Sequence, residues 1–438
     1  MQTLRIVNYV IALIFTICYA YQFFYIPVVL FRKKIFRRKE KAAAQGTAAE
    51  KACEFAVLIC ARNEEAVIGD LLASIRRQTY PAEHIHVFVM ADNCTDGTAM
   101  AARKGGAVVY TRSDSRQIGK GYALDLLLRN IRRDHSEGFD GYFVFDADNL
   151  LRPDYIEKMK DTYLAGNDII TSYRNSKNYG SNWISAGYAL WFMRESRYLN
   201  HARSLLASSC AVSGTGFFFS RKIREEMEGW PYHLLTEDIE FSASQIVRGR
   251  KIAFCEEAEL FDEQPVTFSQ SWKQRLRWSK GYLQVIRKYG VPLLGGIGHG
   301  SFSCFDMTMN IMPAFFLTAI SVISNITLGC IGAVKGDDIM IAVNSVFETL
   351  RNMYGLLFVL GALTTVTEWK RIHTSAVKKI LYSFTFPVFM ATYIPIAFTS
   401  LFARCSWQPI HHTFSGDRLT GLPEEICVAR NAMRRGAA

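Results

Sequence analysis

The sequence predicts an α/β domain set between membrane-spanning helices. Residues from about 46 to 300 alternate short apolar runs with helix-like segments, a pattern typical of α/β domains. Long apolar stretches lie on both sides of that region and indicate membrane spans. The length of 438 residues, of which 50% are hydrophobic, allows one large soluble domain and a few spans, but is short for two large domains.

The first apolar stretch runs from about Ile6 to Leu30 without a charged residue, which is long enough to cross a hydrocarbon core of roughly 30 Å. We expect residues 1–31 to form this helix and residues 32–52 a basic linker, because Lys and Arg cluster directly after it. A secretory signal peptide is the alternative, but its positive charges precede the apolar core. The positive-inside rule predicts a multi-pass protein of the cell membrane with the α/β domain in the cytoplasm.

The region 301–403 is expected to form about three apolar membrane segments, followed by a tail at 404–438. Its first two stretches, about 305–334 and 339–367, resemble a helical hairpin. Glu348 and Arg351 in the second stretch either line a polar conduit or form a structural ion pair near the interface.

The third apolar stretch, about 380–403, contains Pro387 and Pro395. If this stretch crosses the membrane fully, the tail lies outside the cell. If it bends back at the prolines, Trp407 and the pair His411 and His412 return to the side of the α/β domain.

Polar residues follow several of the predicted strands, where ligand sites of α/β proteins lie. The strands are expected at 55–60, 86–91, 107–110 and 142–145. Glu64 follows the first strand in a polar turn, beside Asn63, which is equally consistent with a helix cap. Asp92 ends the second strand and can hold a base or a ribose. Lys120 lies between two glycines at a helix start, where it either meets an anion or is simply solvated.

The strongest local signal is the aromatic strand that ends in Asp146 and Asp148. The two carboxylates are one residue apart and face the same way if the strand geometry persists. Their hard oxygen atoms suit Mg²⁺ or Mn²⁺ next to a diphosphate. The ten cysteines, in contrast, are scattered singly, so that neither a zinc site nor a disulfide scaffold is expected.

Two further motifs have structural alternatives. Glu237 and Asp238 open a predicted helix, where carboxylates are favoured by the helix dipole even without a function. Gln274, Arg277 and Trp278 lie in a segment rich in Arg, Lys and Trp, which on its own also fits a helix docked on a membrane surface. We therefore expect amphipathic interface helices at 266–300.

Taken in order, these motifs resemble the family 2 inverting glycosyltransferases, specifically the processive membrane branch with the synthases of cellulose, chitin, hyaluronan and poly-N-acetylglucosamine. The resemblance covers about residues 55 to 290. It rests on Asp92, on Asp146 with Asp148, on Thr236 to Asp238, and on Gln274 with Arg277 and Trp278. It implies a GT-A-type, Rossmann-like α/β domain at 53–265.

The resemblance also implies a role for each motif. Asp238 is expected to be the catalytic base. Asp148, with Asp146, is expected to hold Mg²⁺ or Mn²⁺ and the diphosphate. The donor-binding residues implied are Glu64, Asp92, Lys120, Asp146, Gln274 and Arg277, and the acceptor-binding residues are Gly214, Thr215, Glu237 and Trp278.

The expected function is therefore transfer of a sugar from a UDP-sugar, with UDP-GlcNAc or UDP-glucose favoured, to a growing polysaccharide, coupled to export. A homo-oligomer or an accessory export subunit is expected to complete the path through the lipid bilayer, and no nucleic acid is expected as a partner. One alternative is a non-processive enzyme that adds one sugar to a lipid acceptor. Another is a transporter or receptor with a nucleotide-sensing domain.

Overall fold

The computed structural model describes residues 2–31, 52–311, 313–334, 339–405, 410, 412–413, 422–423 and 426. Its centre is an eight-stranded mixed sheet with the strand order β3-β2-β1-β4-β7-β6-β8-β5. The four predicted strands are confirmed to within one or two residues at each end. The strands are β1 Phe55–Ala61, β2 Ile85–Asp92, β3 Val108–Arg112, β4 Gly141–Asp146, β5 Leu150–Leu151, β6 Ile169–Ser176, β7 Phe217–Ser220 and β8 Ala253–Asp262.

Strands β1 to β4 are parallel, so their carboxyl ends meet at one edge of the sheet. Strand β7 then pairs antiparallel with both β4 and β6, which makes the sheet mixed. The register places Cys60 of β1 beside Asp146 of β4, and Ala61 beside Ala91 of β2. The polar residues after β1, β2 and β4 therefore converge on one edge, as the sequence predicted.

Helices cover both faces of the sheet and bury its apolar side chains. Strand β4 shows the alternation, since Tyr142 and Val144 belong to the core on one face, while Phe143 and Phe145 belong to the core on the other. The helices of this domain are α2 Ile68–Arg76, α3 Thr98–Lys104, α4 Lys120–Asp134, α5 Tyr155–Leu164, α6 Trp183–Arg194, α7 His201–Leu205, α8 Arg221–Met227 and α9 Glu237–Val247, with a 3₁₀ turn at Ala82–His84 and a π-helical turn at Glu195–Asn200.

Helix α1, Gln2–Leu30, precedes the sheet domain, and six helices follow it. Within the described residues, three apolar segments are long enough to cross a membrane: Arg5–Leu30, Val346–Thr367 and Ala376–Phe402. The predicted basic linker lies outside the described residues except for its last position. The later helices are α10 Phe268–Gly298, α11 Phe302–Ile311, α12 Pro313–Val334, α13 Ile339–Thr367, α14 Ala376–Ala391 and α15 Tyr393–Phe402.

The predicted hairpin corresponds to α12 and α13, which contact each other. Among the residues that the structure describes, the apolar segment found in α12 is Ile323–Gly332, which is shorter than a full membrane span. Glu348 and Arg351 of α13 form an ion pair, with side chains 49% and 62% exposed. Such exposure at the protein surface supports a structural ion pair rather than a buried polar conduit.

Helix α14 packs on α6 of the sheet domain, and α15 packs on α10. Lys378 Nζ donates to the Gly180 carbonyl at 2.7 Å near the start of α14, and Lys280 Nζ of α10 donates to the Ser400 carbonyl at 3.0 Å near the end of α15. The chain then brings His412 back to the sheet domain. These contacts support the alternative in which the tail returns, while Trp407 and His411 lie outside the described residues.

Candidate active site

A cavity of about 380 Å³ lies at the carboxyl edge of the parallel strands and extends to the later helices. It is lined by almost all residues that the sequence motifs single out. These are Glu64, Asp92, Lys120, Asp146, Asp148, Gly214, Glu237, Asp238, Gln274, Arg277 and Trp278. Asn310, Met390 and Tyr393 of α11, α14 and α15 line the same cavity, which therefore joins the sheet domain to the helices that follow it.

Asp92 closes one end of the cavity and is held by an arginine that the motifs did not predict. Arg112 Nη1, on the neighbouring strand β3, donates to Asp92 Oδ1 at 2.7 Å, and both side chains are buried. Burial raises the pKa of Asp92, while the Arg112 guanidinium opposes that shift. The register of β2 and β3 pairs these two residues directly, so the carboxylate is fixed by the sheet itself.

Lys120 lies at the first position of α4, after Gly119, which has a φ of 140°. Its Nζ atom donates to Asp146 Oδ1 at 2.5 Å and to the Gly214 carbonyl at 2.8 Å. Burial alone lowers the pKa of Lys120, but the charges of Asp146 and Glu237 raise it above its ordinary value. The lysine is thus a fixed positive charge inside the cavity, rather than a solvated side chain on a turn.

Asp146 and Asp148 follow β4 and both line the cavity. Asp148 is buried, and its Oδ2 atom accepts the backbone N–H of Glu263 at 2.7 Å. Burial alone raises the pKa of Asp148, but the charges of His412 and Lys177 keep it below its ordinary value. Both aspartates therefore present hard oxygen atoms to the same cavity.

Thr215, unlike the other predicted site residues, is not among the described residues that line the cavity. Its Oγ1 atom accepts the backbone N–H of Asp146 at 2.9 Å and is hydrogen bonded to Asn149 Oδ1. The side chain is 4% exposed. Thr215 therefore stabilises the end of β4 through these hydrogen bonds, whereas its neighbour Gly214 lines the cavity. The expected contact of Thr215 with the acceptor stays a prediction.

Glu237 and Asp238 form the first turn of α9, and Asp238 Oδ2 accepts the Gly214 N–H at 2.6 Å. Burial raises the pKa of Asp238, although nearby backbone N–H groups and the charges of Lys120 and Arg277 oppose the shift. Burial and the adjacent Asp238 raise the pKa of Glu237 to about 7. The pair is thus less acidic than ordinary carboxyl groups, a property suited to accepting a proton.

Helix α10 contributes Gln274, Arg277 and Trp278 to the cavity, and these three residues share one helical face. Arg277 Nη1 donates to the Leu235 carbonyl at 3.0 Å, which places α10 directly beside the start of α9. The Oε1 atom of Gln274 is buried and has no hydrogen-bond partner among the described residues. A buried polar atom of this kind indicates a missing ligand or water.

Trp278 forms the wall of the cavity towards the later helices. Its ring packs edge to face on Tyr188 and Phe192, with ring centroids 5.7 and 6.0 Å apart. Arg275, between the motif residues, points the other way and is fully buried. Its Nη1 atom donates to Thr392 Oγ1 at 2.7 Å at the junction of α14 and α15. Helix α10 thus faces the cavity with one side and anchors the later helices with the other, and it is not a free surface helix.

The cavity also contains charged residues that the sequence motifs did not identify. Arg174 Nε of β6 donates to Asp262 Oδ2 of β8 at 2.5 Å, and its guanidinium lies over the Phe192 ring at 3.6 Å. Glu195, at the start of the π-helical turn, accepts a hydrogen bond from Ser213 Oγ at its Oε2 atom, at 3.3 Å. The sequence signal that could have identified Glu195 is the pair of charged residues directly after the apolar run of α6.

The tail contributes His412, whose Nδ1 atom lies 2.9 Å from Glu64 Oε2. Burial alone lowers the pKa of His412, but the charges of Asp148, Glu64 and Glu263 raise it to about 10. His412 is therefore a cation that balances the carboxylates on the donor side of the cavity. Sequence reasoning placed it on this side only as one of two alternatives.

Comparisons with known proteins identify the family to which the chain belongs. The model of the family described as glycosyltransferase-like family 2 matches residues 52–281, the sheet domain together with the motif face of α10. A probable glycosyltransferase YdaM of Bacillus subtilis is 27% identical over 261 residues, which cover 53% of this chain and 56% of that protein. A beta-monoglucosyldiacylglycerol synthase of Synechocystis is 23% identical over 52% of this chain and 47% of its own length.

The chain spans about half the length of these curated relatives. A probable glucomannan 4-beta-mannosyltransferase 15 of Arabidopsis thaliana is 23% identical over 62% of this chain and 53% of that protein. A solved mannosyltransferase of Pyrobaculum calidifontis, in complex with GDP-Man and Mn²⁺, aligns with a TM-score of 0.49 and 14% identity over 88% of this chain and 99% of that one. The model of glycosyltransferase-like family 2 matches more than half of the sequence, so this chain belongs to that family and has a GT-A-like fold.

Proposed function

We propose that this enzyme transfers a sugar from a nucleotide diphosphate sugar to a growing polysaccharide, with inversion at the anomeric carbon. One observation carries the proposal: a single cavity holds the paired aspartates after β4, the carboxyl pair of α9 and the motif face of α10. The donor favoured by the motif resemblance is UDP-GlcNAc or UDP-glucose. The catalytic domain would lie in the cytoplasm of a multi-pass membrane protein.

Asp238 is the proposed catalytic base. Its carboxylate removes the proton of the acceptor hydroxyl, whose oxygen then bonds to the anomeric carbon as the bond to the diphosphate breaks. The Gly214 N–H fixes one carboxylate oxygen at 2.6 Å. Burial makes Asp238 a stronger base than an exposed aspartate, because it raises the pKa of the carboxyl group.

The diphosphate that leaves carries negative charge, and the chain supplies positive groups where it would lie. Lys120 is held beside Asp146, and Arg277 beside Leu235, so both cations are oriented before the substrate binds. Fixed cations in a site shielded from water stabilise a developing negative charge without reorganisation. His412 would serve the same purpose on the side of Glu64.

A divalent cation, Mg²⁺ or Mn²⁺, fits the carboxylates after β4. Among the described residues, no cluster of three or more His, Cys, Asp or Glu side chains has the geometry of a metal site. Mg²⁺, however, is commonly held by one or two carboxylates together with substrate phosphates. Asp146 and Asp148 would hold the ion, which would neutralise part of the diphosphate charge when bound.

The acceptor is proposed to enter between Trp278 and the later helices, since Met390 and Tyr393 line that part of the cavity. Sugars stack readily on aromatic rings, which favours a glycan there. A lipid acceptor with a single added sugar is the second candidate, because the cavity reaches α14 and α15, part of a candidate membrane span. One relative is named for a diacylglycerol lipid and another for glucomannan, so both classes occur among similar proteins.

The chemical step is tested by Asp238→Asn in the purified full chain. We expect the rate of nucleotide release to fall by about 10² to 10⁴, the usual contribution of a general base, with donor affinity retained. Asp161→Asn is the matched control, because that side chain is 56% exposed on α5. Equal rates for the Asp238→Asn and control variants would overturn the role of Asp238.

The acceptor is tested by product size. Membranes containing the enzyme are incubated with radiolabelled UDP-GlcNAc, UDP-glucose or GDP-mannose, with Mg²⁺ or Mn²⁺, and products are separated by length and by extraction into organic solvent. A long, solvent-insoluble product from few chains supports processive synthesis. A solvent-extractable product with one added sugar would replace it with the lipid candidate. Export, and the oligomer or accessory subunit that it would need, remain predictions.

A further inference from the structure

A second cavity, of about 280 Å³, lies between α1, α13 and the π-helical turn. Seven of its lining residues belong to the stretch of α1 from Phe15 to Ile26, and Leu356 and Leu360 belong to α13. Most of these side chains are apolar. The cavity is distinct from the active site, although the two share one structural element at the end of α6.

Two consecutive residues separate the cavities. Glu195 lines the active site and contacts Ser213, whereas Arg194 lines the second cavity together with Tyr198 and Leu199. A π-helical turn, which begins at Glu195, is rare and frequently found at functional positions. Here the turn begins where the chain passes from Arg194, which lines the second cavity, to Glu195, which lines the active site.

The position of the second cavity points to the bilayer. Its walls include the candidate spans Arg5–Leu30 and Val346–Thr367. The lining part of α1 is the half nearer to the sheet domain, because Tyr25 in the same half packs with Tyr198 and Ala202 of that domain. On its outer side, α1 exposes large apolar side chains such as Phe24, at 71%. A lipid in the leaflet on the side of the catalytic domain can therefore reach this cavity.

Arg194 is the charged group in the cavity wall. Its Nη2 atom donates to Gln22 Oε1 at 3.2 Å, and its guanidinium lies 5.3 Å from the centre of the Trp191 ring. Within the described residues, no carboxylate forms an ion pair with it. Burial lowers the pKa of Arg194 to about 10, so the side chain stays positively charged at neutral pH.

Two neighbouring arginines form ion pairs of the kind that Arg194 lacks among the described residues. Arg197 is paired with Glu256 and Glu368, and Arg203 makes two hydrogen bonds to the carboxylate of Asp306, at 2.6 and 3.0 Å. Arg194 instead faces an amide and an aromatic ring. A partly buried guanidinium with unused donors, beside a mainly apolar cavity, is complementary to one anionic group attached to a hydrocarbon chain.

We propose that this cavity binds an acidic phospholipid, with its phosphate on Arg194 and an acyl chain between α1 and α13. Arginine is well suited to phosphate because its planar fork donates two parallel hydrogen bonds. The apolar walls favour a lipid over a free phosphate ion. Basic pockets between membrane helices on the cytoplasmic side are known to accept anionic lipid head groups.

The test measures lipid binding to the full chain purified in detergent. Native mass spectrometry would compare dioleoylphosphatidylglycerol with dioleoylphosphatidylcholine at equal concentrations. We expect one tightly bound phosphatidylglycerol per chain and at least a tenfold preference over phosphatidylcholine. Arg194→Gln should reduce that preference to near parity, and Arg194→Lys should give an intermediate value because the charge remains without the fork. Arg351→Gln, which changes a membrane-level arginine paired with Glu348, should keep the wild-type preference.

A second variant separates a lipid from a free anion. Ala20→Phe fills the cavity from α1 and leaves Arg194 intact, so we expect it to weaken phosphatidylglycerol binding at least tenfold. It also decides the question if Arg194→Gln fails to fold. The proposal is overturned if Arg194→Gln keeps the wild-type lipid preference. It is equally overturned if Ala20→Phe binds phosphatidylglycerol normally, or if inorganic phosphate at millimolar concentration displaces the lipid completely.

Discussion

The adjacent carboxyl groups of Glu237 and Asp238 give the site a characteristic pH dependence. The pKa of Glu237 is raised to about 7 by burial and by the charge of Asp238. Burial also raises the pKa of Asp238 above its ordinary value of 3.8. As pH falls, the base becomes protonated, so we expect kcat/KM to decline on the acid side at a higher pH than for a solvated aspartate.

This expectation can be checked by measuring kcat/KM between about pH 4.5 and 9 for the wild type and Glu237→Gln. The wild type should show the ionisation of Asp238 and a second one near pH 7 from Glu237. Glu237→Gln should lose the second and keep the first. An identical profile in both enzymes, with no loss of activity above about pH 4, would contradict the assignment of Asp238 as a buried base.

Substitution of Gln274 is expected to lower activity while leaving stability unchanged or raising it. Its buried Oε1 atom has no partner among the described residues, an arrangement that costs free energy in the empty site. Replacement by an apolar side chain of similar size should therefore leave stability unchanged or raise it. For Gln274→Leu we predict an unfolding temperature at or above that of the wild type and a kcat/KM at least about tenfold lower, as for loss of one hydrogen bond to a charged group. A stable variant with full activity would show that the amide makes no contact with substrate.

At the scale of secondary structure, α10 packs closely against the start of α9. Gly281 lies one turn after Arg277 and Trp278, and a Cβ atom there would come within 2.5 Å of the Thr236 side chain. We predict that Gly281→Ala pushes α10 away, destabilises the protein by about 1 to 3 kcal/mol and lowers kcat. Thermal unfolding and nucleotide release would measure both effects. Gly295→Ala, on the same helix with nothing within 4 Å, should be neutral or stabilising, since alanine favours helices.

The parts of the fold that the sequence predicts best are the parallel strands and their ends. The apolar runs of β1 and β4 are buried on both faces, so their pattern is continuous and easy to recognise. Asp92 and Asp146 could be assigned to one edge because parallel strands end together, and the register confirms this. The sequence could not show that Gly214 lines the cavity while Thr215 bonds to the end of β4, because turn residues adjacent in sequence can face opposite ways.

Other members of the site could not be predicted, because their contacts are distant in sequence and lack a local pattern. Arg174 and Asp262 meet through the pairing of β6 and β8, which are 88 residues apart at this contact. His412 reaches Glu64 across 348 residues. No periodicity reports such pairings, and only the family resemblance distinguished Asp238 and Gln274 from residues of ordinary helices.

At the scale of the whole molecule, a buried ion pair connects the sheet domain to the helices that follow it. Arg203 of α7 and Asp306 of α11 are 2% and 1% exposed. Tyr21 and Tyr25 of α1 donate to the same carboxylate at 2.5 and 3.0 Å. Helices α1 and α7 thus converge on Asp306 of α11, so the orientation of α1 is coupled to that of the sheet domain.

Removal of one partner of this pair should therefore be costly, because the other is left buried and charged. We predict that Arg203→Leu lowers the free energy of unfolding by about 3 to 5 kcal/mol. Arg203→Leu combined with Asp306→Leu should recover part of that loss, since no unpaired charge remains. Unfolding followed in detergent, with donor binding as a check of the native fold, would measure both variants. Arg133→Leu removes an arginine from an ion pair with Asp134 whose side chains are 66% and 36% exposed, and solvent screening should leave its stability nearly unchanged. A similar loss in the single and double variants would mean that Arg203 stabilises the junction by packing rather than through its charge.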